Sequence, residues 1–336
     1  MNKIKIIAEI GPNHNGKVSL AKKLVLSAKK SGADYVKFQT FITEDVITPN
    51  VRKANYQIKN TQSNETQFEM LKKLQLSYNQ FKIIKTFCDK KKIKFLSTAF
   101  DLKSLKFINS LKPDYIKIPS GEINNLPLLR AIANLKKKTI LSTGMCSMKE
   151  VVNTIKLLKK YGLGKNKITL LHCNSEYPTP LKDVNLKVIT TYKNFFKVKV
   201  GYSDHTLSQK VPIAAVVLGS SIIEKHFTLN NKYKGPDHKM SFNPKKFSKM
   251  VKNIRETEIL LGKDKKVVTS SESKNRKLVR RSIVAIKKIN VGEKFTIKNL
   301  GVKRPGYGKS PLKFFNILGK YSKKNYKQND LIWKKK

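Results

Sequence analysis

Two short stretches carry the strongest chemical signal in this 336-residue chain. Gly201-Tyr-Ser-Asp-His-Thr206 and Ile222-Ile-Glu-Lys-His-Phe-Thr228 each run from apolar into polar residues, and each holds one histidine. An apolar, helix-like segment, 209–220, separates them. The spacing predicts a strand–helix–strand unit whose two strand ends lie side by side. His205 and His226 could then share one divalent metal, with Ser203, Asp204 and Glu224 close by. Two imidazoles completed by water and substrate oxygens suit Mn²⁺, and Mg²⁺ or Co²⁺ could substitute. A metal held this way stays open to ligands and acts as a Lewis acid.

Other residues that could do chemistry fall at the ends of the remaining apolar runs. Lys37 and Lys117 lie within strand-like segments, where a buried ammonium needs an anion, so they are expected to anchor one. Thr98, Ser120, Ser175 and Ser203 could offer hydroxyl donors to a phosphate. Glu9, Glu122, Glu224 and Asp237 are the rim carboxylates. One of them would orient a sugar hydroxyl or amide while another moves protons, and spacing leaves open which does which. Lys225 falls on the opposite alternation from Glu224 and His226, toward a helix layer or solvent.

The elements that must position these groups follow from periodicity. Eight strand-like runs alternate with helical patterns from residue 3 to residue 261. That count and length match a (β/α)₈ barrel, whose sites lie on loops after the C-terminal ends of the strands. A doubly wound sheet has the same periodicity, but the polar residues here gather at one end of nearly every strand. The stretch 41–64 is too long for an ordinary connection and is a candidate active-site loop. Composition turns polar, rich in Lys, Ser and Thr, after Leu261. The expected organisation is therefore a barrel over 1–262, a linker over 263–280 and a small, mostly β domain over 281–336, with β-prone runs at 282–285 and 330–333.

The formal net charge is +49, yet only seven of the 71 basic residues are Arg. Base and phosphate readers favour Arg, whereas this excess is Lys spread over nearly every helix, so nucleic acid is not an expected partner. A positive field of this kind would help to draw in an anionic substrate. No apolar run reaches the ~20 residues of a membrane helix. Three scattered cysteines (Cys88, Cys146 and Cys173) indicate neither a disulfide framework nor a zinc knuckle, and the chain reads as cytoplasmic.

At these residues the chain resembles the sialic acid synthase family. The similar stretches include Ala8-Glu-Ile-Gly-Pro-Asn-His-Asn-Gly16, Val36-Lys-Phe-Gln-Thr40, Lys117-Ile-Pro-Ser-Gly-Glu122, Leu141-Ser-Thr-Gly-Met145, Leu171-His-Cys-Asn-Ser-Glu-Tyr-Pro-Thr-Pro180 and Gly235-Pro-Asp-His238, besides the two opening motifs. Arg281-Ser-Ile-Val-Ala285 and Lys303-Arg-Pro-Gly306 resemble the antifreeze-like (SAF) domain that closes such proteins. The resemblance implies a metal-dependent transferase that condenses phosphoenolpyruvate with an N-acetylated amino sugar. It implies phosphoenolpyruvate contacts from Lys37, Thr98, Lys117, Ser120 and Ser203, and sugar contacts from Glu9, Gln39, Tyr177, Glu224 and Asp237. Arg304 resembles the arginine that the SAF domain inserts into a partner's barrel, which implies a domain-swapped homodimer. At Ser175 some relatives carry Asn or Thr. N-acetylneuraminate is the preferred product, from N-acetylmannosamine. The alternative is N,N'-diacetyllegionaminate, from 2,4-diacetamido-2,4,6-trideoxymannose. A rival of another class is an inactive barrel that only binds carbohydrate or nucleic acid.

Overall fold

A computed structural model describes residues 3–332. Eight parallel strands close into a barrel in chain order: β1 (Lys5–Glu9), β2 (Tyr35–Thr40), β3 (Lys94–Ala99), β4 (Ile116–Ile118), β5 (Thr139–Ser142), β6 (Ile168–Cys173), β7 (Lys199–Asp204) and β8 (Ile222–His226), with β8 returning to β1. The (β/α)₈ reading of the periodicity is what the chain adopts. The outward faces of these strands carry Ile6, Ala8, Val36, Phe38, Phe95, Ile118, Leu141, Leu170 and Ile223 into a continuous core with the surrounding helices. The inward faces hold a separate apolar plug of Ile7, Tyr35, Leu96, Tyr115, Ile140, Leu171 and Ile222. Gly201 on β7 is required by this plug, because a Cβ there would meet the Leu171 side chain at 2.6 Å and the Ile222 carbonyl at 2.5 Å.

The helices follow ordinary rules. Ser77, Asp101, Ser147 and Asn243 accept hydrogen bonds from the first free amides of the helices they cap. The long connection after β2 folds locally, with helices Thr43–Val46 and Asn55–Thr61 inside it. Among the described residues no helix is long and apolar enough to cross a membrane.

The chain divides into two compact units, Met1–Gly262 and Lys263–Lys336. The second contains an antiparallel pair, β9 (Ser282–Ala285) and β10 (Leu300–Lys303), over a small core of Ile283, Ala285, Ile289, Phe295, Leu300, Ile317, Tyr326 and Ile332. One expectation needs correcting. The segment read as a linker, 263–280, contains the helix Ser270–Val279, started by a capping box between Thr269 and Glu272. None of its residues is buried, so it lacks the apolar stripe by which helices are recognised in sequence. The β-prone run at 330–333 enters the fold through a bridge between Leu331 and Val284, while Trp333 lies outside the described residues.

Candidate active site

The strand period of two places a ring of polar side chains directly above the apolar plug. Ile7, Leu96, Leu171 and Ile222 belong to the plug, and the residues two further along their strands are Glu9, Thr98, Cys173 and Glu224. Strand register sets the neighbours: Glu9 lies opposite Lys37 and His226, Thr98 opposite Lys117, and Ser203 opposite both Cys173 and Glu224.

Two ammonium groups and two carboxylates meet in this ring, all of them buried. Lys37 pairs with Glu9, lies 3.6 Å from Oε1 of Glu224, and donates to Thr98 Oγ1 at 3.3 Å. Lys117 donates to Ser142 Oγ at 2.6 Å and to the same Glu224 Oε1 at 3.5 Å. The Ser203 hydroxyl donates to that oxygen at 3.1 Å. Gln39 donates to Glu9 Oε1 at 3.4 Å and to the Gly11 carbonyl at 3.2 Å. Glu224 Oε2, by contrast, is buried with no hydrogen-bond partner.

The environments separate the two carboxylates. Burial raises Glu9 to about 7, against the pull of Lys37 and with help from the Glu224 charge. Burial would also raise Glu224, but Lys117 and Lys37, then His205 and the Ser203 hydroxyl, outweigh it and hold this carboxyl below its usual range. Burial, together with the neighbouring Lys37 charge, lowers Lys117 although Glu224 opposes it. A proton carrier near neutrality therefore stands beside a permanent anion.

His205 follows β7 and His226 ends β8, with ring centroids 5.4 Å apart. His205 Nδ1 donates to the Asn174 carbonyl at 2.5 Å, which fixes the tautomer and leaves the Nε2 lone pair free. His226 Nδ1 is buried without a hydrogen-bond partner, 3.5 Å from Asp237 Oδ2. Burial lowers His205 to about 4 and takes His226 well below the usual range, so both rings are neutral donors. Burial raises Asp237 to about 7. Among the described residues no third His, Cys, Asp or Glu completes a metal cage. The donor set fits an open two-imidazole site in which water and substrate supply the other ligands.

Tyr177 lies on the two histidines, 4.2 Å from His205 and edge-on to His226 at 6.0 Å. On the far side of the mouth Ser120 Oγ accepts from the Gly144 amide at 2.8 Å and lies 3.4 Å from Cys173 Sγ. Ser175 joins them, since a Cβ on Gly144 would stand 2.3 Å from its hydroxyl.

The remaining sequence candidates fall as follows. Glu122 lies on the turn after β4 and accepts from Asn125 Nδ2 at 2.6 Å. Asp204 does not face the histidines; it lies on the helix side of β7 and binds Lys225 at 2.8 Å. His172 is held by the Val184 carbonyl at 2.8 Å, and His238 by Thr228 at 2.7 Å, so both have structural partners. Arg304 belongs to the second unit, directly after β10. Sequence reasoning missed Ser142, which was detectable as the residue two beyond the plug residue Ile140 on β5. Tyr56 lies in the 41–64 stretch expected to be an active-site loop, though its own role was not singled out there.

The NeuB family profile matches residues 24–266, and a SAF domain profile matches 280–335. The chain belongs to the NeuB family. It is 47% identical to an N,N'-diacetyllegionaminic acid synthase of Campylobacter jejuni over 99% of both chains. It is 44% identical to another of Legionella pneumophila, over 94% of this chain and 89% of that one. A solved N-acetylneuraminic acid synthetase from Leptospira borgpetersenii, in complex with citrate, superposes with a TM-score of 0.71 at 31% identity, covering 82% of this chain and 90% of that one. This NeuB-family chain is thus an enzyme, a carbon–carbon bond-forming nonulosonate synthase. Of the two acceptors weighed from sequence, these identities favour the legionaminate type over the preferred neuraminate type. The 47% identity over 99% of both chains is a whole-chain property that could not be seen in motifs common to both types.

Proposed function

We propose that the enzyme is an N,N'-diacetyllegionaminate synthase, condensing phosphoenolpyruvate, 2,4-diacetamido-2,4,6-trideoxymannose and water and releasing phosphate. The observation that carries the acceptor is the 47% identity over 99% of both chains with a synthase of that product. The site chemistry supports the reaction type. Lys37 and Lys117, with Thr98, Ser120, Ser175 and Ser203 around them, offer a buried cationic and hydroxyl-lined seat for the phosphate and carboxylate of phosphoenolpyruvate. A divalent metal, Mn²⁺ foremost, held by His205 and His226 would supply Lewis acidity toward the aldehyde oxygen of the open-chain sugar.

The chain's own groups account for the proton movements. C3 of phosphoenolpyruvate forms the new bond to the aldehyde carbon, and C2 becomes electron-poor. Water adds to C2 and gives its proton to Glu224, whose Oε2 is unpartnered and whose charge is maintained by two lysines. Glu9, near neutrality, supplies the proton to the former aldehyde oxygen. The C2 hydroxyl then gives its proton to the departing phosphate as the bond between C2 and the phosphate oxygen breaks, leaving a 2-keto acid and inorganic phosphate on Lys37 and Lys117. Gln39, Tyr177 and Asp237 line the sugar's side of the site. Arg304 of a second copy reaches the sugar in a domain-swapped homodimer, and the enzyme works in the cytoplasm.

The deciding experiment measures phosphate release from phosphoenolpyruvate with Mn²⁺, offering either the diacetamido-trideoxy acceptor or N-acetylmannosamine. The first is expected to turn over at least tenfold faster in kcat/KM. Release with N-acetylmannosamine alone would reverse the acceptor, and silence with both in folded, metal-loaded protein would favour the binding-only barrel. The swap is checked by mixing Arg304→Ala with His226→Ala subunits. Each is inactive alone, and partial recovery is expected after exchange.

A further inference from the structure

We propose that Tyr56 is the specificity residue for the C4–C6 end of the acceptor, its ring face covering the deoxygenated C6 methyl group. The proposal rests on the legionaminate reading of the site. Tyr56 stacks on Tyr177 with ring centroids 4.9 Å apart and an interplanar angle of 28°. Tyr177 in turn lies 4.2 Å from His205. Three rings therefore form a continuous stack from the histidine pair, beside which the proposed reaction places the sugar's aldehyde.

Tyr56 does not fill a core. Its helix, Asn55–Thr61, contains no buried residue. Polar ties hold that helix in place instead. Buried Lys53 donates to Thr61 Oγ1, Ser63 O and Ser63 Oγ, each at 2.8 Å. Asn60 Nδ2 donates to the Pro236 carbonyl at 2.7 Å, beside Asp237. A seven-residue helix without a buried face is being used to carry an aromatic ring over the site. The Tyr56 hydroxyl takes a hydrogen bond from Gln57 Nε2 at 3.3 Å and one ring face is occupied by Tyr177, so the opposite face is the one assigned to the acceptor. The two acceptors differ at C4 and C6, where acetamido and hydrogen replace hydroxyls. An aromatic face gains contact with a methyl group and leaves a hydroxyl without a partner.

The test compares wild type, Tyr56→Ala and Tyr56→Phe with both acceptors at saturating phosphoenolpyruvate. Tyr56→Ala is expected to shrink the kcat/KM preference for the trideoxy acceptor by about tenfold or more, mostly through acceptor KM. The KM for phosphoenolpyruvate stays within about twofold, and Tyr56→Phe keeps the preference because the ring face is intact. If Tyr56→Ala lowers both acceptors equally, or Tyr56→Phe loses the preference too, the specificity role is wrong while the legionaminate reading stands. If wild type accepts only N-acetylmannosamine, the legionaminate reading fails first and this role falls with it.

Discussion

Two clusters of buried lysine and carboxylate meet on the opposite faces of β8, one through Lys225 and the other through Glu224, and they differ in one respect. On the helix side, Lys225 pairs with Asp204 at 2.8 Å, donates to the Thr206 carbonyl and lies 4.2 Å over the Phe242 ring. Asp204 in turn accepts from the Thr206 amide at 2.9 Å. Every charge there is answered. On the barrel side, Glu9, Lys37, Lys117 and Glu224 also meet, but Glu224 Oε2 and the nearby His226 Nδ1 are buried without a hydrogen-bond partner. A buried polar atom left unmatched costs stability, so folding alone does not favour keeping it. A complete cluster needs nothing further; the incomplete one is where the proposed substrates would supply the missing partners.

That contrast can be broken most sharply at Glu224. Glu224→Gln is expected to lower kcat by about 10³-fold. Its thermal midpoint stays within a few degrees, because the Gln amide retains an oxygen for Lys117 and Ser203. Steady-state kinetics beside a melting curve check this, and full turnover by the variant would remove Glu224 from proton transfer. The reverse pattern is expected across the strand. Lys225→Met leaves Asp204 charged and buried, at a cost of about 3–5 kcal/mol in urea unfolding. The double variant Lys225→Met/Asp204→Leu recovers most of that loss. Folded Lys225→Met protein keeps kcat within a few-fold.

Acid sensitivity sharpens the comparison at a third place. Burial, with His238 nearby, lowers His14 to about 4, and burial lowers His238 to about 4 as well. The unfolded chain binds these protons near pH 6.5 and the folded chain does not. The stability they contribute is therefore complete above about pH 6.5 and is lost as pH falls toward 4, with a slope of at most ~1.4 kcal/mol per pH unit for each ring. His14→Gln should flatten the acid limb of a stability–pH profile, and an unchanged slope would contradict a neutral buried His14. The smallest effect is expected at Glu122, where Gln preserves an oxygen for Asn125 and kcat stays within about threefold.

Much of this site could be read along the chain because barrel strands present alternate residues to one interior. His205, His226 and Glu224 stand at the polar end of an apolar run, whereas Lys37 and Lys117 lie inside their strands and are aimed at the same interior by alternation. Alternation also marked Lys225 as facing away, though not that Asp204 would go with it. Asp204 was misplaced. Nearness in sequence to a strand end does not specify a side chain's direction once the chain turns, and it does not say which polar neighbour takes up a charge.

The order of eight strands, the apolar plug and the polar ring above it follow from the pattern of residue types, since only burial of the apolar alternation on both faces satisfies such runs. The pairing of particular charges was decided in three dimensions. So were the choice of Glu9 as the carboxyl poised near neutrality, the tautomer of His205 and the arrival of Tyr56 over Tyr177. Each depends on groups far apart in the chain whose desolvation and distance exist only once the barrel has closed.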